Sequence, residues 1–191
     1  MKYLDKKFIT KLRKDYHQKE KERKQIIEKA NQLLHSSKRI IFGLHRGEVK
    51  KMEKELALVE KSFQELNKSF KPSRLAEEGS FKAAAEEYVE AKMFFKILKK
   101  EKVGEVQKLE LPRDSYLGGL CDLVGELVRL ATNKAASGQS GEVKEIKEMI
   151  NEIVEELIQF DFTGYLRNKY DQARVGLRKI EQIDYEINIK K

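Results

Sequence analysis

The sequence predicts an all-α protein, a single-domain antiparallel bundle of six to seven helices. Only 2 of the 191 residues are proline and 38% are charged, a composition typical of long helices. Apolar residues recur at helical spacing along most of the chain. The connections between periodic segments are short, so successive helices are expected to be antiparallel neighbours. No shift in composition marks a domain boundary, and a single domain is expected over residues 1–191.

Each helix is predicted from the spacing of its apolar residues and from the breakers that flank it. Gly43 and Gly47 are expected to end the first helix, Pro72 follows the second, and Ser80 is a candidate cap for the third. The stretch "VGEVQKLEL" alternates like a strand but has no partner strand, so it is predicted to be an extended linker. The predicted helices cover about residues 6–44, 49–70, 80–100, 114–135, 143–157 and 165 to the end.

The charge of the chain is concentrated in its first quarter. The net charge is +8, and residues 1–50 contain 15 Lys/Arg against 6 Asp/Glu, whereas the remaining residues contain 25 against 26. A basic arm on a nearly neutral body indicates a polyanionic partner, most often nucleic acid, or else a lysine-rich solvated helix face. No apolar run of membrane-spanning length and no signal peptide is found, so a cytoplasmic protein without a membrane partner is expected.

Two acids interrupt the apolar face of the third helix. In "EEYVEAKMFF" (residues 86–95), Glu87 and Glu90 fall on the same side as Ala91 and Phe94 when successive residues are turned by about 100°. Such a position is unusual for a carboxylate, because this stripe is expected to face the core.

The fourth helix, "YLGGLCDLVGELVRLATN" (residues 116–133), carries a second pair of acids. It is apolar around most of its circumference and is therefore expected to be central. Its single polar stripe contains Asp122, Glu126 and Arg129. Three glycines border this stripe and are expected to permit a close approach by another helix or by a substrate backbone: Gly118, Gly119 and Gly125.

If the two acidic pairs face one another, four carboxylates share one pocket. Desolvating even one carboxylate is unfavourable by several kcal/mol unless it is paired or bound to a cation. Arg129 offsets one charge, so the other acids are protonated through raised pKa values or hold a metal ion. An all-oxygen ligand set suits Mg²⁺ or Mn²⁺ better than zinc. The alternative is a purely structural network, in which side chains such as Lys96 or Tyr88 pair with the acids.

Other catalytic chemistries are disfavoured by the same residues. A di-iron site in a bundle requires a Glu-x-x-His motif from each of two helices, and none of the three histidines lies in one. Cys121 has no histidine placed to activate it, so it is expected to be a small core residue rather than a nucleophile.

Cations cluster where the first helix ends, and these are the candidate RNA contacts. They are expected to touch the phosphate backbone, because no RNP-type aromatic motif or zinc knuckle for reading bases occurs in the chain. A solvated surface role is the alternative for the lysine and arginine members. The candidates are Lys38, Arg39, His45 and Arg46.

Four segments together carry a family resemblance. They are "SKRIIFGLHR" (37–46), "EEYVEA" (86–91), the fourth helix with its pattern D-x-x-x-E-x-x-R-x-x-x-N, and "LRNKYDQARVGLRKIEQIDYEINIK" (166–190). This combination resembles the translin superfamily, and in particular its TRAX branch. The similarity spans almost the whole chain.

The resemblance implies a helical bundle whose subunits form hollow octamers that hold RNA or single-stranded DNA. In the TRAX branch the matching acids form a Mg²⁺-dependent endoribonuclease site. By match, Arg129 is catalytic and four carboxylates are both catalytic and ligands of Mg²⁺ or Mn²⁺: Glu87, Glu90, Asp122 and Glu126. The implied substrate is single-stranded RNA, with single-stranded DNA and short duplex RNA as further partners.

The branch of the family decides between two functions. Translin proper lacks the aspartate and the EYVE pair and mainly binds nucleic acid, so a non-catalytic single-stranded RNA/DNA-binding protein is the alternative. This chain retains those acids, which favours the catalytic branch. It lacks the long insertion and the C-terminal tail of eukaryotic TRAX, which indicates a compact prokaryotic, archaeal type of member that forms a homo-oligomer.

Overall fold

Helices make up nearly all the regular structure in the computed structural model of this protein, which describes residues 3–189. The prediction of an all-α bundle is confirmed, since this part of the chain has seven α-helices, one 3₁₀ turn and no strand. Residues 1, 2, 190 and 191 of the predicted domain lie outside the described part. The helices are α1 (Lys6–His45), α2 (Val49–Ser69), α3 (Pro72–Ala76), α4 (Gly79–Leu98), α5 (Arg113–Ala136), α6 (Ser140–Leu157) and α7 (Gly164–Ile189).

The two ends of α1 follow from local chemistry. Asp5 caps its first turn, where the carboxylate accepts hydrogen bonds from two backbone N–H groups at 2.8 and 3.2 Å. The expectation that Gly43 breaks this helix is wrong. Gly43 stays helical and is buried. The Met52 side chain packs against it and occupies the space that a Cβ atom at position 43 would need. The helix ends at His45, and Gly47 then turns the chain with φ of +77°, a backbone conformation that favours glycine.

The start of α4 differs from the sequence prediction in two ways. A short helix, α3, precedes it with Pro72 as its first residue, where proline needs no amide hydrogen. Ser80 is not the cap of α4. The capping position is Glu78, whose side chain makes no capping hydrogen bond, and the Ser80 hydroxyl is buried without a hydrogen-bond partner among the described residues.

The central helix is α5, which packs against α4, α6 and α7, while α1 packs against α2 and α4. Its position agrees with its apolar circumference, since Leu123, Val124 and Leu127 are completely buried. The connector between α4 and α5 is irregular, and from it Val106 is buried in the core. Across residues 3–189, no helix has both the length and the hydrophobicity needed to cross a membrane.

Candidate functional site

The C-terminal part of α1 and the facing sides of α4 and α5 enclose a pocket of about 390 Å³. All four acids singled out from the sequence line it, two from α4 and two from α5. We call it the acidic pocket, and its lining residues are Lys38, Ile41, Phe42, Glu87, Glu90, Asp122, Glu126 and Arg129. The facing arrangement of the two acidic pairs therefore exists in the folded chain.

Two glycines of α5 allow α4 to approach this closely. A Cβ atom at Gly119 would lie 2.6 Å from the backbone oxygen of Glu86 and 2.9 Å from Val89. A Cβ atom at Gly118 would overlap the carboxylate of Glu86. Gly125 differs from both, because nothing lies within 4 Å of the corresponding position. The expected helix approach is thus made at the first two glycines.

Asp122 is paired with a cation from the last helix. The ammonium of Lys169 donates to Asp122 at 2.5 Å and lies 2.8 Å from Glu86, which also accepts a hydrogen bond from the Tyr165 hydroxyl at 2.7 Å. Burial alone would lower the pKa of Lys169, but its bonds to the two carboxylates raise that pKa above its ordinary value. Burial raises the pKa of Asp122, and the Lys169 hydrogen bond opposes this. Lys169 is therefore a charged bridge between α4, α5 and α7.

Glu126 is paired with His45 and Arg129. The ring nitrogen Nε2 of His45 contacts the Glu126 carboxylate, and an Arg129 nitrogen lies 3.6 Å from the same oxygen. The His45 side chain is only 4% exposed and stacks near Phe94, with the ring centroids 4.7 Å apart. Sequence analysis placed His45 among the surface RNA contacts, and the structure corrects this. His45 points inward because its neighbours on α1 pack into the core.

The two acids of α4 have different surroundings. Glu87 lies 3.9 Å from the ammonium of Lys38. Burial raises the pKa of Glu87, with Lys38 acting against it. Glu90 is 7% exposed, and within residues 3–189 no ion pair or hydrogen bond holds its carboxylate. Burial, together with the negative charges of Glu87, Asp122 and Glu126, raises the pKa of Glu90 to about 9. Glu90 is thus the acid of the pocket that the protein itself leaves uncompensated.

The candidate RNA contacts separate into two groups besides His45. Lys38 lines the acidic pocket, where its side chain is half exposed. Arg39 and Arg46 line a neighbouring groove of about 460 Å³ together with Lys51. Phe42 belongs to the walls of both cavities.

The two side chains proposed to pair with the acids in a structural network, Tyr88 and Lys96, do not lie in the acidic pocket. Tyr88 lies on another face of α4, where its hydroxyl donates a hydrogen bond at 3.0 Å to Glu60 of α2. It therefore does not reach the acidic pocket. Lys96 is not among the pocket residues. Cys121 is buried, and burial raises the pKa of its thiol to about 12, as expected for a core residue.

The donor set suits a divalent cation in its chemistry, because four carboxylates offer only oxygen ligands. In the described part of the chain, however, no three Asp, Glu, His or Cys side chains are arranged around a common metal position. Asp122 and Glu126 point to Lys169 and His45 instead. A cation held by all four acids therefore requires these two side chains to turn away from their present partners.

Sequence reasoning missed Lys169 and Glu86 as parts of this site. A signal for Lys169 existed, because it shares a helical face with the packed residues Ala173, Gly176 and Ile180 at spacings of 4, 7 and 11. A lysine on such a face is expected to meet an acid. Glu86 gave no comparable signal, since its neighbour Glu87 matched the acidic motif better.

Residues 21–191 match the sequence profile of the Translin family. The chain belongs to this family. The resemblance to the translin/TRAX superfamily is therefore confirmed. A curated relative, translin of Gallus gallus, is 28% identical over 103 residues, which are 49% of this chain. That alignment covers 45% of the relative, so the chain matches less than half of its length.

Solved structures extend the Translin-family likeness to nearly the whole chain. The crystal structure of AfC3PO has a TM-score of 0.87 and 26% identity, covering 96% of this chain and 98% of that one. The structure of an AfC3PO–duplex RNA complex has a TM-score of 0.85 and 25% identity, covering 96% and 97%. Apo-NeC3PO, at 20% identity and a TM-score of 0.81, covers 98% and 100% and shows the shared fold alone.

Proposed function

We propose that this Translin-family protein is an RNA-binding, Mg²⁺- or Mn²⁺-dependent endoribonuclease of the TRAX type, which cleaves single-stranded RNA inside a homo-octameric cage. The observation that carries the proposal is the acidic pocket, in which acids of α4 and α5 converge and Glu90 has no direct ion-pair partner among residues 3–189. RNA binding is further supported by the similar AfC3PO structure, which is a complex with duplex RNA.

The proposed roles follow from the position of each side chain. Glu87, Glu90, Asp122 and Glu126 hold the divalent ion, which when bound polarises a phosphate oxygen and lowers the pKa of water. Glu90 is proposed as the most important ligand, because a bound cation would offset the large unfavourable free energy of an ionised carboxylate at this buried position. Any of the four acids that does not ligate is available as general base for the attacking water.

Three further side chains complete the proposed site. Arg129 is 44% exposed at the wall of the pocket, where its guanidinium neutralises charge that develops on the phosphate. His45 contacts Glu126 from the buried side and fixes the orientation of that carboxylate. Lys38, which also lines the pocket, attracts the phosphate backbone.

A second function is favoured by the pairing of the other acids. Asp122 and Glu87 each face a lysine, and Glu126 lies between His45 and Arg129 in the present arrangement. In a non-catalytic, translin-like protein that binds single-stranded RNA or DNA, these pairs are structural and no metal is held. The two functions therefore differ in whether the pairs open when a divalent cation is added.

Cleavage of an end-labelled single-stranded RNA, with Mg²⁺ and with EDTA, tests the first function. Fragments are expected only with the cation. Glu126→Gln and Glu90→Gln are expected to lower the cleavage rate by at least about 100-fold, as for the loss of one group that stabilises a transition state.

The matched control is Glu60→Gln, since Glu60 is an acid of the same bundle that pairs with Lys92 outside the pocket. Below its melting temperature this variant is expected to cleave like the parent protein. Binding of the RNA without fragments at any divalent-ion concentration would support the translin-like alternative instead.

A further inference from the structure

Phe42 occupies the wall between two cavities of opposite character. On one side lies the acidic pocket, and on the other lies the groove of about 460 Å³, which we call the basic groove. The residues that line the basic groove are Ser36, Arg39, Ile40, Phe42, Arg46, Lys51, Met52 and Glu55. The Phe42 side chain is thus within reach of a strand that occupies both cavities.

Phe42 is exposed although its neighbours are not. It is 52% accessible, whereas Ile40, Ile41 and Leu44 are 1%, 4% and 3% accessible. Packing in the subunit therefore does not explain an aromatic side chain at this position. A ring exposed in this way can instead serve as a contact surface for a flat, apolar group.

The ring already has a cationic neighbour at its acidic side. The guanidinium carbon of Arg129 lies 5.2 Å from the Phe42 ring centroid, a cation–π distance. The same guanidinium lies 3.6 Å from Glu126. Phe42 is therefore fixed beside the proposed reacting phosphate, with about half of its surface open to solvent.

The basic groove offers phosphate contacts on the other side of the ring. Arg46 and Lys51 are 61% and 69% exposed, and each contacts Glu48, at 2.8 and 3.0 Å. Arg39 is a third cation of the groove and Glu55 a second carboxylate, so three cations against two carboxylates leave a small positive excess. Flanking phosphates of a strand are thus favoured in the basic groove, on the opposite side of the ring from the acidic pocket.

We propose that Phe42 is a stacking platform for one unpaired nucleobase of single-stranded RNA, next to the phosphodiester in the acidic pocket and with flanking phosphates in the basic groove. This proposal rests on the proposed function and adds a specificity-determining residue to it. Every base has a π-face, so the platform tolerates any sequence. A base within a duplex is already stacked on both sides, so Phe42 selects unpaired RNA.

The experiment measures stacking and affinity in EDTA, so that no divalent-ion-dependent cleavage contributes. A short single-stranded RNA carries the fluorescent base 2-aminopurine at successive positions. The parent protein is expected to quench one of them. Phe42→Leu is expected to abolish this quenching and to weaken binding at least about fivefold, while Phe42→Tyr keeps both within about twofold.

The matched control is Phe160→Leu, because Phe160 is 55% exposed but lies outside both cavities. It is expected to bind RNA like the parent protein. Equal binding by the parent and Phe42→Leu overturns the proposal, and so does an equal dependence on Phe42 for the same label inside a duplex. Stacking is measured in EDTA, independently of cleavage. Quenching that depends on Phe42, together with no RNA fragments in Mg²⁺, would therefore contradict the nuclease function but support the stacking role of Phe42.

Discussion

On one face of α4, Tyr88 and Lys92 both reach Glu60 of α2, at 3.0 and 2.5 Å, so one partly buried acid has two partners. On another face of the same helix, Glu87 and Glu90 meet two further acids of α5. The first group is saturated, because its charges and hydrogen bonds are paired within the subunit. The second has a surplus of carboxylates. The comparison separates a partly buried acid that is fully paired from a cluster in which carboxylates outnumber their partners, and perturbed acids of the second kind are concentrated at functional sites in proteins generally.

The largest effect on stability is expected when a cation is removed, so that the surplus of negative charge beside the acidic pocket increases. In Lys169→Met, Glu86 and Asp122 lose the cation that lies 2.8 and 2.5 Å away, and the buried carboxylates repel each other. The free energy of unfolding is expected to fall by about 3–5 kcal/mol, as for a broken buried pair. Urea unfolding at neutral pH measures it.

Arg167→Met is the control on the same helix, since Arg167 makes an exposed pair with Asp171. Loss of this solvent-screened pair is expected to change the free energy of unfolding far less than loss of Lys169. Equal losses in the two variants would show that Lys169 does not stabilise the acidic pocket.

A smaller change in the free energy of unfolding, of opposite sign, is expected when one carboxylate of the acidic pocket is removed. The pKa of Glu90 is raised to about 9 from an ordinary 4.5, so the folded state holds this proton more tightly than the unfolded chain. The stability of the metal-free protein therefore falls as pH rises from about 4.5 to about 9. Glu90→Gln is expected to remove this contribution to the slope and to be more stable than the parent at pH 8 by roughly 2–4 kcal/mol.

Thermal unfolding in EDTA across that pH range checks the prediction. Glu60→Gln provides the contrast to Glu90→Gln. It removes the partner of Tyr88 and Lys92 and is expected to destabilise the protein by about 1–3 kcal/mol. If both variants shift the melting temperature in the same direction, the two faces of α4 do not differ as described.

The smallest effects are expected at the glycines of α5. Gly119→Ala places a methyl group 2.6 Å from a backbone oxygen of α4, which cannot move without separating the helices, so a loss of about 1–3 kcal/mol is expected. Gly125→Ala has open space and is expected to stabilise the helix by about 0.5–1 kcal/mol. Chemical denaturation of the pair measures both, and similar values would mean that the close approach of α4 is unimportant.

Helical periodicity was sufficient to predict the long helices and the side of α4 and α5 on which the acids lie. These are properties of single helices, for which neighbours in sequence determine direction. The partners of the acids were not predictable in this way. His45 and Lys169 are 81 and 47 residues distant from the acids that they contact. Such pairs depend on how the helices pack, and His45 was grouped with its neighbours in sequence as a candidate RNA contact.

Lys169 lies on the last helix, and this has a consequence for biosynthesis. The chain is made from its N-terminus, so α4 and α5 are complete before α7 exists. Until then Glu86 and Asp122 lack the ammonium group that later joins them. The acids and their counter-ion thus become available at different moments of translation, and the pocket reaches its final charge balance only after α7 has been synthesised.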